Sequence, residues 1–558
     1  MGCSVILHKG NLPVFLIYFM VHMSSVLGYV DFDSNVSQDS SHCIINVSVE
    51  NVDKVHRGSY VRIESSDGRV FLARVRGGPF YFIEGLPSSS PLAKTFTIRG
   101  DRFRSLPSYY AAFTVNILGE IEGGRLRSSY TRPKPKSPVY EMTAREVEEI
   151  MGFKGNVLLG HLHKYKNVKV KLPAGSMDFL PRNVGIFGTV GSGKTNTAQV
   201  LIEEASRAGW AVFVLDVEGE YTFMDQPNND EPMVNSLKSI YRMEPEGLKD
   251  FKVYVPAGRS SVRFDAVGFT IPFHEMDPFI LFEIIEATEA QQRYFLEILG
   301  EFEQEARTPE KSVGEEFEEM LISPIEERSI RFTLMDVMEK VENRLREGQV
   351  RHVASSLQVI SSKLERLRRY RIFDGRHLLP VEKRIKPGAV TVIDLSDTED
   401  QVRNIVIAWL LNKIFELKVL EPNLPSTMIV IEEAHTFVSR EAREKMTATI
   451  DMLKTIARRG RKRRLSLVFI SQQPGHLPPE IFELCNTRII HTLKSEYNIR
   501  ALRETSGAVR REYWDLLPAL SVGEAILVSP LLLEPVLIKV RPAKSMKYRY
   551  ESLESNPA

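Results

Sequence analysis

The strand–loop–helix around residue 190 constrains the fold more than any other stretch. "VGIF" (184–187) leads into "GTVGSGKTNT" (188–197) and then into the apolar-periodic "AQVLIEEASRAG" (198–209). Gly188, Gly193, Lys194 and Thr195 satisfy GxxxxGK[ST], flanked by the pattern of a buried strand and that of a helix. The glycines let backbone N–H groups turn inward toward an anion, and the helix start adds its dipole. Such a loop belongs to an open, mainly parallel α/β sheet with helices on both faces.

Further strands fit that sheet. "WAVFVLDVEGEY" (210–221), "AVTVIDLS" (389–396), "TMIVIEEA" (427–434), "LSLVFISQ" (465–472) and "RIIHTL" (488–493) are apolar runs, most followed by a helical pattern. A mostly helical stretch, roughly 272–378, interrupts them and reads as an inserted bundle. Residues 44–136 show short alternating runs, "IINVSVE", "SYVRIES", "RVFLARVR", "FYFIEG", "KTFTIRG" and "AAFTVNILGEI", separated by "SDG", "GGP" and "EGG". They predict a small β-barrel or sandwich. "TRPKPKSP" (131–138) reads as a linker. The expected domains are a leader or mis-assigned start (1–40), a barrel (41–137), a connector (138–180), an ATPase core in two parts (181–271 and 381–545), the bundle between them (272–380) and a tail (546–558).

The candidate site follows from strand ends. Gly188, Thr189, Val190, Gly191, Ser192, Gly193, Lys194, Thr195 and Asn196 form the candidate cradle for ATP. Lys194 is expected on the β- and γ-phosphates, and the Thr195 hydroxyl on Mg²⁺. "MIVIEEAH" (428–435) delivers two carboxylates to the sheet edge where ligands of such sheets bind. By position Glu432 is the metal-side group and Glu433 the base for the attacking water. Asp216 closes its strand, with Glu218 and Glu220 beyond it, either near the metal and water or simply solvating a loop. Gln472 ends another strand and can sense the γ-phosphate or face solvent. Between them "KTIARRGRKRRLS" (454–466) carries seven Lys or Arg among residues 454–464. That run is a solvated helix face, an arginine facing a γ-phosphate in cis or trans, or a nucleic-acid contact. Arg182 is a separate arginine-finger candidate.

Composition bounds the rest. The 558 residues suggest about three domains. A net charge of +1 means that a polyanion partner must be met by local patches or by several copies facing inward. Three cysteines, without a CxxC pair, fit a reducing, cytoplasmic compartment and no structural zinc. Residues 13–30 are apolar enough to imitate a signal or anchor. The interruptions, and Met20 and Met23 as later starts, favour an over-extended N-terminus.

The ordered set "LLGHL" (158–162), "PRNVGIFGTVGSGKTNT", "DVEGEY", "VIEEAHTFVS", "ARRGRK", "SQQPGHLPPEIFELCNTRII" and "LPALSVGEAIL" (517–527) resembles the HerA branch of the HerA–FtsK ATPases. The resemblance implies a RecA-like core, a HAS-type barrel and a homohexameric ring that moves double-stranded DNA with ATP. It also implies a NurA-type nuclease docked through the barrel, end resection in recombinational repair, and contact with the double-strand-break processing complex. The family's Walker lysine, tandem acid, strand-end Asp, sensor Gln and trans arginines fall on Lys194, Glu432 and Glu433, Asp216, Gln472, and Arg182 with Arg458 or Arg459. Asn183 stands where relatives often carry His, and Val217-Glu218 where they often carry Pro-His or Pro-Lys. A membrane-associated secretion or conjugation ATPase, and a non-motor nucleotide switch, are the competing readings.

Overall fold

The computed structural model describes residues 25–32, 41–87, 89–99, 108–307, 331–348, 351–438, 447–507 and 509–548. The chain divides into two compact units, the first built mainly from residues 1–153 and the second holding most of the remainder.

In the first unit β1 (Val26–Val30), β2 (His42–Ser48), β3 (Tyr60–Glu64), β4 (Val70–Ile83), β5 (Tyr109–Glu122), β6 (Arg125–Arg127) and β7 (Pro138–Glu141) pair in the order β2-β1-β7-β3-β4-β5-β6. A further β2–β5 ladder closes six of them into an antiparallel barrel, which leaves those six no open edge. Alternate residues such as Ile45, Val47, Ile63, Phe71, Phe113 and Val115 fill it.

Three details depart from the sequence reading. Val26–Val30, inside the expected leader, is a barrel strand, and Pro138–Glu141, inside the expected connector, is another. "RVFLARVR" and "FYFIEG" are one strand, with "GGP" a bulge in it where Gly78 adopts a φ of 111°. All of "KTFTIRG" that is described, residues 94–99, lies in the helix Pro91–Arg99 rather than in a strand. Its β-favouring Thr, Phe and Ile are overridden by a proline preset for the first helical position. The apolar stretch that suggested an anchor is otherwise outside the described residues. No helix among the described residues is long and apolar enough to cross a membrane.

The second unit holds β8 (Val157–Leu162), β10 (Val184–Phe187), β11 (Ala211–Asp216), β12 (Phe251–Pro256), β13 (Val267–Phe269), β14 (Val390–Asp394), β15 (Thr427–Ile431), β16 (Leu465–Ser471), β17 (Thr487–Ile490), β18 (Glu524–Val528) and β19 (Val536–Val540). Together with β9 (Tyr165–Leu172), which completes its last hairpin, they form a sheet in the order β13-β12-β14-β11-β15-β16-β10-β17-β18-β19-β8-β9. From β13 to β17 every pairing is parallel, and from β17 to β8 every pairing is antiparallel. β10, β11, β14, β15 and β16 are buried along their whole length, as strands covered on both faces must be. Helices Pro278–Ile284, Glu289–Arg307, Leu334–Arg346 and Arg351–Arg369 sit between β13 and β14 in sequence and share the sheet's core through Leu281, Phe282, Phe295, Val337 and Leu364.

β19 is followed directly by Arg541, whose side chain is fully buried between Glu203 (2.8 Å) and Glu204 (2.9 Å) of the helix that follows the phosphate loop. Its Nε also donates to the Leu158 carbonyl. Arg541→Ala leaves buried Glu203 without its cation and Glu204 with only the half-exposed Arg207, and should cost about 3–5 kcal/mol of stability. Arg346→Ala, at an exposed helical ion pair, should cost well under ~1 kcal/mol. Chemical denaturation of both variants checks the contrast, and equal losses contradict it.

Candidate nucleotide site

The phosphate loop joins β10 to the helix Lys194–Arg207. Gly191 (φ 73°) and Gly193 (φ 110°) hold left-handed backbone that a Cβ would strain. At Gly188 a Cβ would lie 2.7 Å from the Cβ of His491, so the loop packs directly on that side chain. No side chain caps the helix start, where Gly193 is the N-cap. The first intrahelical bond runs from Thr197 N to Gly193 O, so helix geometry leaves the N–H groups of Lys194, Thr195 and Asn196 without i−4 acceptors. That is an anion cradle, and ATP phosphates fit it.

Side chains divide the cradle. Lys194 Nζ donates to the Thr189 carbonyl (3.1 Å) within the loop. Burial lowers its pKa, opposed by the carboxylates of Glu433, Glu432 and Glu220. Val190 stands exposed at the loop's tip. Ser192 Oγ donates to Thr189 O, and Thr189 is anchored to the Thr492 carbonyl. The Asn196 side-chain amide donates to Arg541 O and accepts from Ala543 N (both 2.8 Å), fastening the segment after β19, while its main-chain N–H stays with the cradle.

The Thr195 hydroxyl donates to Glu220 Oε2 at 2.6 Å. The other Glu220 oxygen pairs with Lys547 at 2.7 Å. Lys547 belongs to the segment read as a tail, whose described residues 546–548 are tied in place by Gln199 Nε2 to Met546 O and Tyr548 N to Glu220 O. A hydroxyl beside a carboxylate is a hard-oxygen pair of the kind Mg²⁺ takes together with phosphate.

Two buried acids lie behind that pair. Asp216 accepts from the N–H groups of Gly219 (2.7 Å), Glu220 (3.1 Å) and Tyr221 (2.9 Å), so it shapes the loop that carries Glu220. Glu432 accepts from Val217 N (3.1 Å) and Glu218 N (3.2 Å). The two carboxyls are buried beside each other, and burial with their mutual repulsion favours a proton on the pair. Burial, with the neighbouring acids, drives Asp216 up to about 7 and Glu432 well above its usual range.

Glu433 occupies the αL region (φ 43°) at the end of β15, an unusual conformation for a non-glycine residue. Its Oε2 accepts from Gln472 N (3.4 Å) and meets His435 Nδ1 (3.2 Å), which also contacts Ser471 Oγ. Glu433 and Gln472 therefore share one corner of the site, linked through the Gln472 main chain. His491, which the sequence did not single out, lies beneath the loop. Its Nδ1 meets the Glu524 carbonyl (2.9 Å), which can only accept, so Nε2 accepts from Thr197 Oγ1 (2.8 Å). Burial holds its pKa down at about 4, which keeps the ring neutral.

The arginines are elsewhere. Arg182 ends a short turn at the start of β10, so ~13 Å of strand separates it from the loop at the strand's other end. It pairs with Asp178 (3.0 Å), which also holds Arg461 (3.0 Å). Arg182, Lys454, Arg458 and Arg461, with Glu480 and Glu483, line a cleft of about 340 Å³. Arg458 is exposed and has no ion-pair partner among the described residues. Arg459 is exposed outside that lining. Lys454 and Arg461 were visible in sequence only as members of the basic run.

The acid pair gives a pH prediction. Asp216 and Glu432 have folded pKa values above their unfolded ones, so their contribution is fully present below the unfolded pKa, near 4, and is lost as pH rises through about 7. Glu432→Gln keeps an acceptor for Val217 and Glu218 N–H and a donor for Asp216, imitating the protonated acid. In the nucleotide- and metal-free protein, Tm should fall between pH 5 and pH 8 in wild type and fall less in Glu432→Gln. Parallel Tm profiles would contradict the shared proton.

Residues 157–414 match the family described as Helicase HerA, central domain. The chain is 24% identical to the DNA double-strand break repair helicase HerA of Pyrococcus furiosus over 93% of each chain. It is 23% identical to a probable helicase of Methanocaldococcus jannaschii over 78% of each. Among solved structures VirB4 of Thermoanaerobacter pseudethanolicus has the same fold, with a TM-score of 0.50 at 18% identity over 70% of this chain and 97% of that one. The likeness to HerA helicases runs nearly end to end and takes in far more than the phosphate loop: the chain is similar to the HerA-type helicases, and it is a P-loop ATPase, an enzyme that hydrolyses ATP.

Proposed function

We propose that this ATPase is a motor that moves double-stranded DNA, acting in the cytoplasm as a ring of six copies and supplying DNA ends to a NurA-type nuclease docked on the barrel during recombinational break repair. Contact with the wider break-processing complex belongs to the same reading. The observation that carries it is the separation of cradle and arginines. Lys194 lies at the C-terminal edge of the parallel sheet and the Arg182–Arg458 cleft at the N-terminal edge. One copy does not bring its own Arg182 or Arg458 to its own cradle, whereas a neighbour in a ring can supply them. Hydrolysis then alters an interface, and a succession of altered interfaces moves whatever the ring encloses. The relatives' descriptions as break-repair helicases support DNA as that cargo.

Within one site Lys194 and the loop N–H groups bind and orient the phosphates. Thr195 and Glu220 offer oxygens to Mg²⁺, backed by Glu432, and bound Mg²⁺ supplies charge neutralisation on the phosphate oxygens. Asp216 holds the Glu220 loop in register. Glu433 takes the proton of the attacking water, and Gln472, bonded to it through its backbone, reports the state of that corner. Arg182 and Arg458 of the adjacent copy, with Arg459 at the rim, stabilise the transferring charge.

Two experiments test this reading. Duplex DNA should stimulate ATP turnover, and apparent DNA affinity should weaken by about 10³-fold or more between 50 and 200 mM salt if several phosphates are neutralised. Unstimulated turnover, or stimulation indifferent to salt, counts against a motor on duplex. Arg182→Ala should lower kcat by about 10³-fold while leaving ATP binding intact. Mixed with Lys194→Ala subunits, which keep their arginines but cannot hold nucleotide, it should regain part of its turnover. Absence of recovery rules out Arg182 acting in trans.

A further inference from the structure

The helix Thr447–Gly460 connects two distant features. Its last turn carries Arg458 into the cleft, while its first turn is held by a carboxylate from the inserted helical segment. Glu283, on the helix Pro278–Ile284, accepts from the N–H groups of Ala448 and Thr449 (3.1 Å) and from the hydroxyls of Thr449 (2.8 Å) and Thr447 (3.3 Å). Both of its oxygens are spent on that helix start, and Thr449 is buried. Some 164 residues separate the partners in sequence.

Apolar packing through Ile450, Leu453 and Ile456 sets which way the helix faces. It resists sliding along the axis far less, since one apolar contact replaces another. Directional hydrogen bonds at the end of the helix fix that remaining freedom, and the anionic charge opposes the helix dipole. From Ala448 to Arg458 the helix is rigid and ~15 Å long, so a shift at its start arrives undiminished at the arginine. The helix bearing Glu283 is in turn seated in the core by Ile280, Leu281 and Phe282.

We propose that Glu283 is a positioning residue for the trans arginine: through this helix, the inserted segment sets where Arg458 meets the neighbouring copy's nucleotide. The proposal rests on the shared-site reading above. It assigns the insertion a part in hydrolysis, because any load on the Pro278–Ile284 helix is passed to the arginine face.

The test uses the full chain, with ATP and duplex DNA. Glu283→Ala should lower kcat by about 10²-fold, the effect of a misplacement of about 1 Å, with KM for ATP changed less than about twofold. Glu283→Gln keeps an acceptor for the helix N–H groups and should recover part of the loss. Because the defect lies in what a subunit offers its neighbour, mixing Glu283→Ala with Lys194→Ala subunits should restore turnover as far as mixing Arg458→Ala with Lys194→Ala does. Recovery in the Arg458 mixture without recovery in the Glu283 mixture overturns the role of Glu283 and leaves the shared site standing. No recovery in either removes the shared site, and this proposal with it. Unchanged kcat in Glu283→Ala, or a matched fall in ATP affinity, also overturns it.

Discussion

The direction of one short strand governs the rest. β10 runs from Arg182 toward Gly188, and its neighbours β16 and β17 run parallel to it. Parallel pairing sends every loop that follows a strand to one edge and every loop that precedes one to the other. The phosphate loop, Glu220, Glu433 and Gln472 therefore gather at the first edge. Arg182 and Arg461, with Arg458 from the helix leading back to β16, gather at the second. A single copy separates its phosphate cradle from Arg182, Arg458 and Arg461 by the length of its own strands. On the proposed reading that separation is why the enzyme works as an assembly.

At the first edge the arrangement is one of carboxylates restrained by backbone. Asp216 and Glu432 spend their oxygens on N–H groups of residues 217–221 and share a proton, so two buried acids carry less charge than their number suggests. This shapes the loop that aims Glu220 at Thr195. Glu433 sits apart, strained into left-handed backbone and tied to Gln472 and His435. The tandem acid thus splits into a residue that builds the site and a residue that faces it. Beneath the loop, neutral His491 joins the first turn of the loop's helix to β18, and Asn196 joins the same turn to the segment after β19 at Ala543.

What could be read from the sequence was whatever is local in the chain. GxxxxGK[ST], the apolar strands and the acids at their ends are contiguous signals, whereas the alternating runs left a barrel or a sandwich open until the β2–β5 ladder closed it. The rest depended on residues far apart. Thr195 with Glu220 and Lys547, Arg182 with Arg461, and Glu283 with Thr449 are pairings that no spacing rule reveals. Asn196 looked like the last residue of a phosphate loop, but its partners lie 345 and 347 residues away. The helix at Pro91–Arg99 was misread because Thr, Phe and Ile favour strands, while the proline that starts it is a one-residue signal. β12 and β13 were passed over because "FKVYVP" is short and interrupted by a lysine, and they are strands by virtue of pairing with β14 and each other.

The central claim is that one copy's arginines reach a neighbour's nucleotide. Electron cryo-microscopy of the full chain with a non-hydrolysable ATP analogue, Mg²⁺ and duplex DNA tests it most directly. The account predicts a closed ring in which Arg182 or Arg458 of one subunit approaches within hydrogen-bond distance of the γ-phosphate held by Lys194 of the next. A ring whose arginine clefts face solvent, or a monomer with a fully enclosed nucleotide, would contradict it.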